Sequence, residues 1–166
     1  MENTGSRLMH NEPGGSSFDI KGILKAQCNR SPMLFIDRVC HCVPGQSATS
    51  EKNFTYNEWF FPTHYEDDPN VPGFVLVESL VQSFLMTFLS LPEHFGSRTS
   101  FLTIKETQFR RRVVPGDRLV IDSTLTSLKR GIATGTSIGR VDGELAVSTD
   151  VTIGLPKILE KYKPKT

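Results

Sequence analysis

Between Pro72 and Pro92 the chain reads GFVLVESLVQSFLMTFLSL, apolar on nearly every face of a helix yet interrupted by Glu78 and Gln82. Proline at each end stops helix propagation, so the stretch predicts one helix over Gly73–Ser90. At about 1.5 Å per residue it would be roughly 27 Å long, close to a bilayer span. An acid and a carboxamide inside the run argue instead for the core of a soluble domain. The two lie four residues apart and share a face. A carboxylate buried there is costly unless it is paired, hydrogen-bonded or kept protonated. Glu78 is therefore either a structural acid bonded to a nearby amide or a proton donor. Ser79, Ser83 and Thr87 form a small polar stripe at helical spacing, which reads as close packing of helix on sheet.

The segment ahead of this helix, FFPTHYEDDPNVPG, holds too much proline and aspartate to be helical, and it carries His64 as a candidate base. Phe60, Phe61, His64, Pro69, Pro72, Gly73, Glu78 and Gln82 stand in register with the FFxGHFPxxPxxPG and VLxxEAxAQ motifs. In this it resembles the hot-dog-fold 3-hydroxyacyl-[acyl carrier protein] dehydratases. Departures flank the histidine: Thr63 stands for the usual Gly, Tyr65 for Phe, Glu66 for Pro, and farther on Ser79 for Ala. The resemblance extends to PMLFIDRV at Pro32–Val39, similar to PFLLVDRV, where Asp37 and Arg38 read as members of a strand-end salt bridge. It continues to FLTIKETQFRRRVVPGD, similar to the family's Phe…Ile…Phe-basic-basic strand, with Arg112 in place of Pro.

Composition excludes several classes. At 166 residues, 37% hydrophobic and 22% charged, the chain suits one globular domain. A net charge of +1 makes no case for nucleic acid or for an anionic membrane. Cys28, Cys40 and Cys42 are odd in number and do not form a disulfide framework. Zinc would need wider ligand spacing than Cys40-His41-Cys42 and a second cluster, so no metal is expected, and Cys40 and Cys42 read as facing one way from a strand. The first residues hold no apolar run of signal-peptide length, and a cytoplasmic location is expected.

Residues 1–17 read as a mobile tail in which His10 is incidental, residues 18–155 as the domain, and residues 156–166 as a basic C-terminal tail. Phe18, Ile20, Ile23 and Leu24 predict a short helix ending near Asn29, capped by Asp19. The stretch from Ser31 to Thr55 reads as strand, turn at Pro44-Gly45, strand. From Phe101 the period falls to two, giving strands near 101–113, 118–129, 132–141 and 144–153 in an antiparallel meander, with hairpin turns at Arg130-Gly131 and Asp142-Gly143.

The resulting fold class is α+β, and the resemblance implies a hot-dog fold whose curved antiparallel sheet wraps one long central helix. It also implies a homodimer, or a higher multiple of dimers, in which His64 of one chain faces Glu78 of the partner subunit. Such a site removes water from a 3-hydroxyacyl thioester in fatty-acid or related acyl-chain biosynthesis, with no cofactor. His64 would take the C2 proton and Glu78 would protonate the leaving hydroxyl. The Gly73 amide would hold the thioester oxygen, and Gln82 would steady Glu78. Arg110 and Arg111 would dock the acyl carrier protein. Two other readings fit the same residues: a hot-dog acyl thioesterase, and a non-catalytic acyl-binding or partner subunit of that fold.

Overall fold

A computed structural model describes residues 15–162, so the tail residues 1–14 with His10, and residues 163–166, lie outside the described residues. The core element is α3, Gly73–Leu89. From Ser79 to Leu89 every residue of it is buried, and the helix packs against five of the seven strands. Phe84, Phe88, Leu80 and Met86 are fully enclosed, each contributing about 1.5–3 kcal/mol relative to exposure. The predicted helix is thus present to within one residue, starting after Pro72 and ending at the Ser90 cap.

The polar stripe on α3 is buried as expected: Ser79 and Thr87 bond carbonyls of their own helix, and Ser83 enters a hydroxyl chain. Ser83 donates to Ser50 at 2.9 Å, Ser123 lies 3.0 Å from Ser83, and Ser137 lies 2.8 Å from Ser123, all of them buried. Hydroxyls so enclosed must satisfy one another, and doing so ties the helix to three strands. The Thr87 carbonyl, left free near the end of the helix, accepts the Gly45 amide of a strand turn at 2.7 Å.

Seven strands make one antiparallel sheet in the order β1-β2-β3-β5-β6-β7-β4. They are β1 Ser16–Phe18, β2 Arg38–Val43, β3 Ser47–Asn53, β4 Ser100–Phe109, β5 Arg118–Lys129, β6 Ile132–Val141 and β7 Glu144–Gly154. The hairpin turns are formed as anticipated: Arg130 and Gly131 (φ 51 and 80) and Asp142 and Gly143 (φ 52 and 82) supply the two left-handed residues that a two-residue turn requires. The four strands are not a simple meander. β4 pairs with β7, while β5 turns the other way to pair with β3. The link between β4 and β5 contains Pro115 and is too long for a tight hairpin. It crosses the start of α3, with the Val71 amide on the Val113 carbonyl at 2.8 Å.

Helix α1, Ile20–Ala26, is capped by Asp19 as expected, its side chain accepting from the Gly22 amide at 2.8 Å. Other expectations shift. Ser16 and Ser17, assigned to the tail, belong to β1, which pairs with β2. After β7, residues Pro156–Leu159 form α4, followed by a 3₁₀ turn at Glu160–Tyr162, and Ile158 packs on the core instead of fraying. Cys40 is exposed and Cys42 buried, because a bulge between Val39 and His41 breaks the alternation that would have aligned them. Residues 32–37 are irregular rather than strand. Asp37 pairs with Lys52 at 3.3 Å and not with its neighbour Arg38.

Candidate active site

Glu78 sits one and a half turns into α3, where the helix is still partly open. Its Oε1 accepts from Gln82 Nε2 at 2.7 Å, the pairing expected of residues four apart, and from Asn29 Nδ2 at 3.1 Å. Burial pushes the carboxyl above the ordinary carboxylate range, and the two donors pull part of the way back. Gln82 is committed on all sides. It donates also to the Met33 carbonyl at 2.8 Å and accepts the Phe35 amide at 2.7 Å. The irregular segment before β2 is thus held to the helix by one carboxamide, which explains why it does not extend the strand. Asn29 escaped the sequence reading, since nothing local connects it to a residue 49 positions away.

Against the expectation that this segment is not helical, His64 ends α2, the single helical turn Phe61–His64, because Pro62 falls in the first turn, where its missing N–H is not needed, and Phe60 and Phe61 are buried. Its Nδ1 lies 3.1 Å from the Asn70 carbonyl. A carbonyl only accepts, so the proton belongs on Nδ1 and the Nε2 lone pair is left free to act as a base. The imidazole lines a cleft of about 320 Å³ with Trp59, Phe60, Thr63, Pro72, Gly73 and Phe74.

Gly73 borders this cleft and also a second one of about 350 Å³. Its amide precedes the first intrahelical donors, Val75 and Leu76, and so is one of the unpaired N–H groups at the positive end of the helix dipole. A Cβ at Gly73 would lie 3.2 Å from the Phe109 ring, so the small residue also permits close packing.

One chain does not bring the candidate acid and the candidate base into one cleft. Glu78 faces a separate cleft of about 290 Å³, lined also by Cys28, Asn29, Arg98 and Phe101. His64 and Gly73 share one cleft, Glu78 and Gln82 share one hydrogen bond, and the two pairs open apart.

The arginine run does not lie in a strand, since β4 ends at Phe109. Arg111 is clamped by Glu144 at 3.2 Å and by Asp117 and Asp142 at 3.6 Å. Arg112 pairs with Asp68 at 2.7 Å, which offsets one charge of the acidic loop near His64. The guanidinium of exposed Arg110 bonds, among the described residues, the neutral Gln108 side chain and none of those carboxylates. Among the described residues there is no group of three metal-binding side chains, and no helix is long and apolar enough to cross a membrane.

Known proteins place this geometry. Residues 28–150 match the family model of the FabA-like domain. Among curated proteins, the 3-hydroxyacyl-[acyl-carrier-protein] dehydratase FabZ of Ligilactobacillus salivarius is 40% identical over 134 residues, covering 81% of this chain and 96% of the relative. Its namesake from Roseiflexus castenholzii is 37% identical over 137 residues, covering 82% and 96%. Among solved structures, the dehydratase heterocomplex ApeI:P of Xenorhabdus doucetiae aligns with a TM-score of 0.71 over 86% of this chain and 97% of that one. At 13% identity this is a likeness of fold alone, and the shared fold is the hot dog. The long helix against a seven-stranded antiparallel sheet and the match over most of the sequence lead to one conclusion: the chain belongs to the FabA-like domain family.

Proposed function

We propose that this protein is a hydro-lyase that removes water from a 3-hydroxyacyl thioester carried by acyl carrier protein, giving the trans-2-enoyl thioester in fatty-acid or related acyl-chain biosynthesis. The observation that carries the reading is the 40% identity to a FabZ dehydratase over nearly its whole length. The chemistry available in the clefts suits it. His64 Nε2 takes the C2 proton, the C2–H electrons form the C2–C3 double bond, and the C3–O bond breaks as Glu78 delivers its proton to the departing hydroxyl. Burial raises the carboxyl above its ordinary range, which favours the protonated form that a proton donor needs. The Gly73 amide, at the positive end of α3, stabilises charge gathering on the thioester oxygen. Gln82 and Asn29 orient the acid.

Because the two clefts are separate within a chain, the reading requires a homodimer in which His64 meets Glu78 of the partner subunit. Strand β4 supports this, as it lies at the edge of the sheet and exposes Phe101, Leu102, Ile104 and Phe109. A long apolar edge of this kind calls for a partner strand. Arg110, which pairs with no carboxylate among the described residues, is the better placed of the two carrier-docking arginines, while Arg111 holds the loop against β6 and β7. A cytoplasmic location goes with this reading.

Co-refolding His64→Ala chains with Glu78→Gln chains tests it. Each variant alone is expected to be inactive on a 3-hydroxyacyl thioester, and the mixture should regain activity through heterodimers that carry one intact site. Verified heterodimers without activity would overturn the shared site. Free thiol release in place of water loss by the wild type would overturn dehydration.

A further inference from the structure

Lys52, on β3, is a cation in the interior, with its side chain only 7% exposed. All three of its protons are committed: to Glu58 Oε1 at 2.6 Å, to Asp37 Oδ1 at 3.3 Å and to the Asn53 carbonyl at 3.1 Å. The Asp37 Oδ2 takes the Asn53 amide at 2.7 Å, which anchors that end of the triad on β3 itself. Glu58 is the outlying member. It belongs to the turn ahead of α2, where its own amide donates to the Thr55 carbonyl and its carbonyl accepts the amide of Phe61, the first residue of that helix. The His64 amide in turn donates to the Phe60 carbonyl at 2.9 Å. A continuous path therefore runs from the buried ammonium through Glu58 and one helical turn to the imidazole.

Burying a cation with two carboxylates is a poor way to gain stability, because desolvation consumes most of the attraction and apolar side chains of like volume do as well. What the ionic arrangement adds is direction, since a carboxylate bonded at 2.6 Å has one place to be. The apolar rings of Phe60 and Phe61 hold the turn against the core, and the Lys52–Glu58 pair adds a directional tie to it. We propose that the Asp37–Lys52–Glu58 triad is the positioning device for the proton-abstracting imidazole, setting through Glu58 where the His64 turn sits on the sheet. This rests on the reading of His64 as the base, and the three residues are positioning residues that touch no substrate.

The test uses Glu58→Gln, Lys52→Met and the paired apolar replacement Lys52→Met with Glu58→Leu, all in the full chain, with a short pantetheine 3-hydroxyacyl thioester as substrate. Misplacing a base by an ångström costs about a hundredfold, so each variant should lose about ten- to a hundredfold in kcat with KM changed less than about twofold. The ¹⁵N signals of the His64 imidazole, assigned by their loss in His64→Ala, should move in all three. The paired replacement separates position from stability: it should melt at or near the wild-type temperature and still be slow. Unchanged kcat per folded molecule together with unmoved His64 signals would overturn the proposal and leave the triad as structural. Moved signals in a protein whose His64→Ala variant keeps full turnover would uphold the positioning and overturn the role of His64 instead. Should Lys52→Met fail to fold, Glu58→Gln, at a partly exposed carboxylate, decides alone.

Discussion

Glu78 and His64 are fourteen residues apart in one motif, yet they are seated in opposite ways. The acid stands on a helix whose course is dictated by burial, and its neighbour Gln82 lies on the same face by helical geometry alone. The base stands at the end of a single turn whose place depends on distant groups: the Phe60 and Phe61 rings beneath it, the Asn70 carbonyl at its Nδ1 and the Lys52 ammonium behind Glu58. The contrast fits the two tasks proposed for these residues. A carboxyl that must keep its proton needs a dry environment, which a core helix supplies. An imidazole that is to reach a substrate carbon needs an open cleft, which the short turn ending at His64 lines.

Removing each group in turn breaks the comparison most sharply. On the proposed chemistry, His64→Ala and Glu78→Gln should each lower kcat about a hundredfold to ten-thousandfold. Their far-ultraviolet circular dichroism should remain that of the wild type, because neither change removes core apolar contact. Near-normal turnover by a well-folded variant would dismiss the role given to that residue.

Gln82→Leu should affect the acid's seat and spare the base's. The Phe35 amide and the Met33 carbonyl would lose their partner inside the protein, a penalty of about 1–3 kcal/mol for each group. Glu78 would also lose one of the two donors that hold its pKa down, so its pKa would rise further. On the proposed chemistry, in which Glu78 works protonated, the alkaline limb of the pH–rate profile should move to higher pH while the acid limb stays. Equal displacement of both limbs would show that the seats are not independent.

The smallest effect is in stability against pH. The carboxyl of Glu78 is raised in the folded state, so the unfolded chain ionises first as pH rises. Wild-type stability should be intact below the ordinary carboxylate pKa of 4.5 and fall as pH rises through the elevated folded value. Glu78→Gln has no such ionisation, so its melting temperature relative to wild type should climb across that window. Parallel melting curves from pH 4 to pH 8 would show that burial does not perturb this acid.

Much of this molecule was determined locally. Prolines and a predominantly apolar run specify α3, and the i, i+4 relation alone joins Glu78 to Gln82. Arg130-Gly131 and Asp142-Gly143 specify hairpins through the left-handed conformations they tolerate. Spacing placed His64, Gly73 and Glu78 in the family motif before any contact was known. Tertiary structure decided the rest. It put β4 beside β7, sent Arg111 and Arg112 to different carboxylates, brought Asn29 to Glu78 and Asp37 to Lys52, and turned the clefts of His64 and Glu78 apart. Periodicity and turn chemistry report only on neighbours a few positions away along the chain. Which distant groups meet is chosen by how the buried faces pack, and a buried charge then takes whichever partner that packing presents.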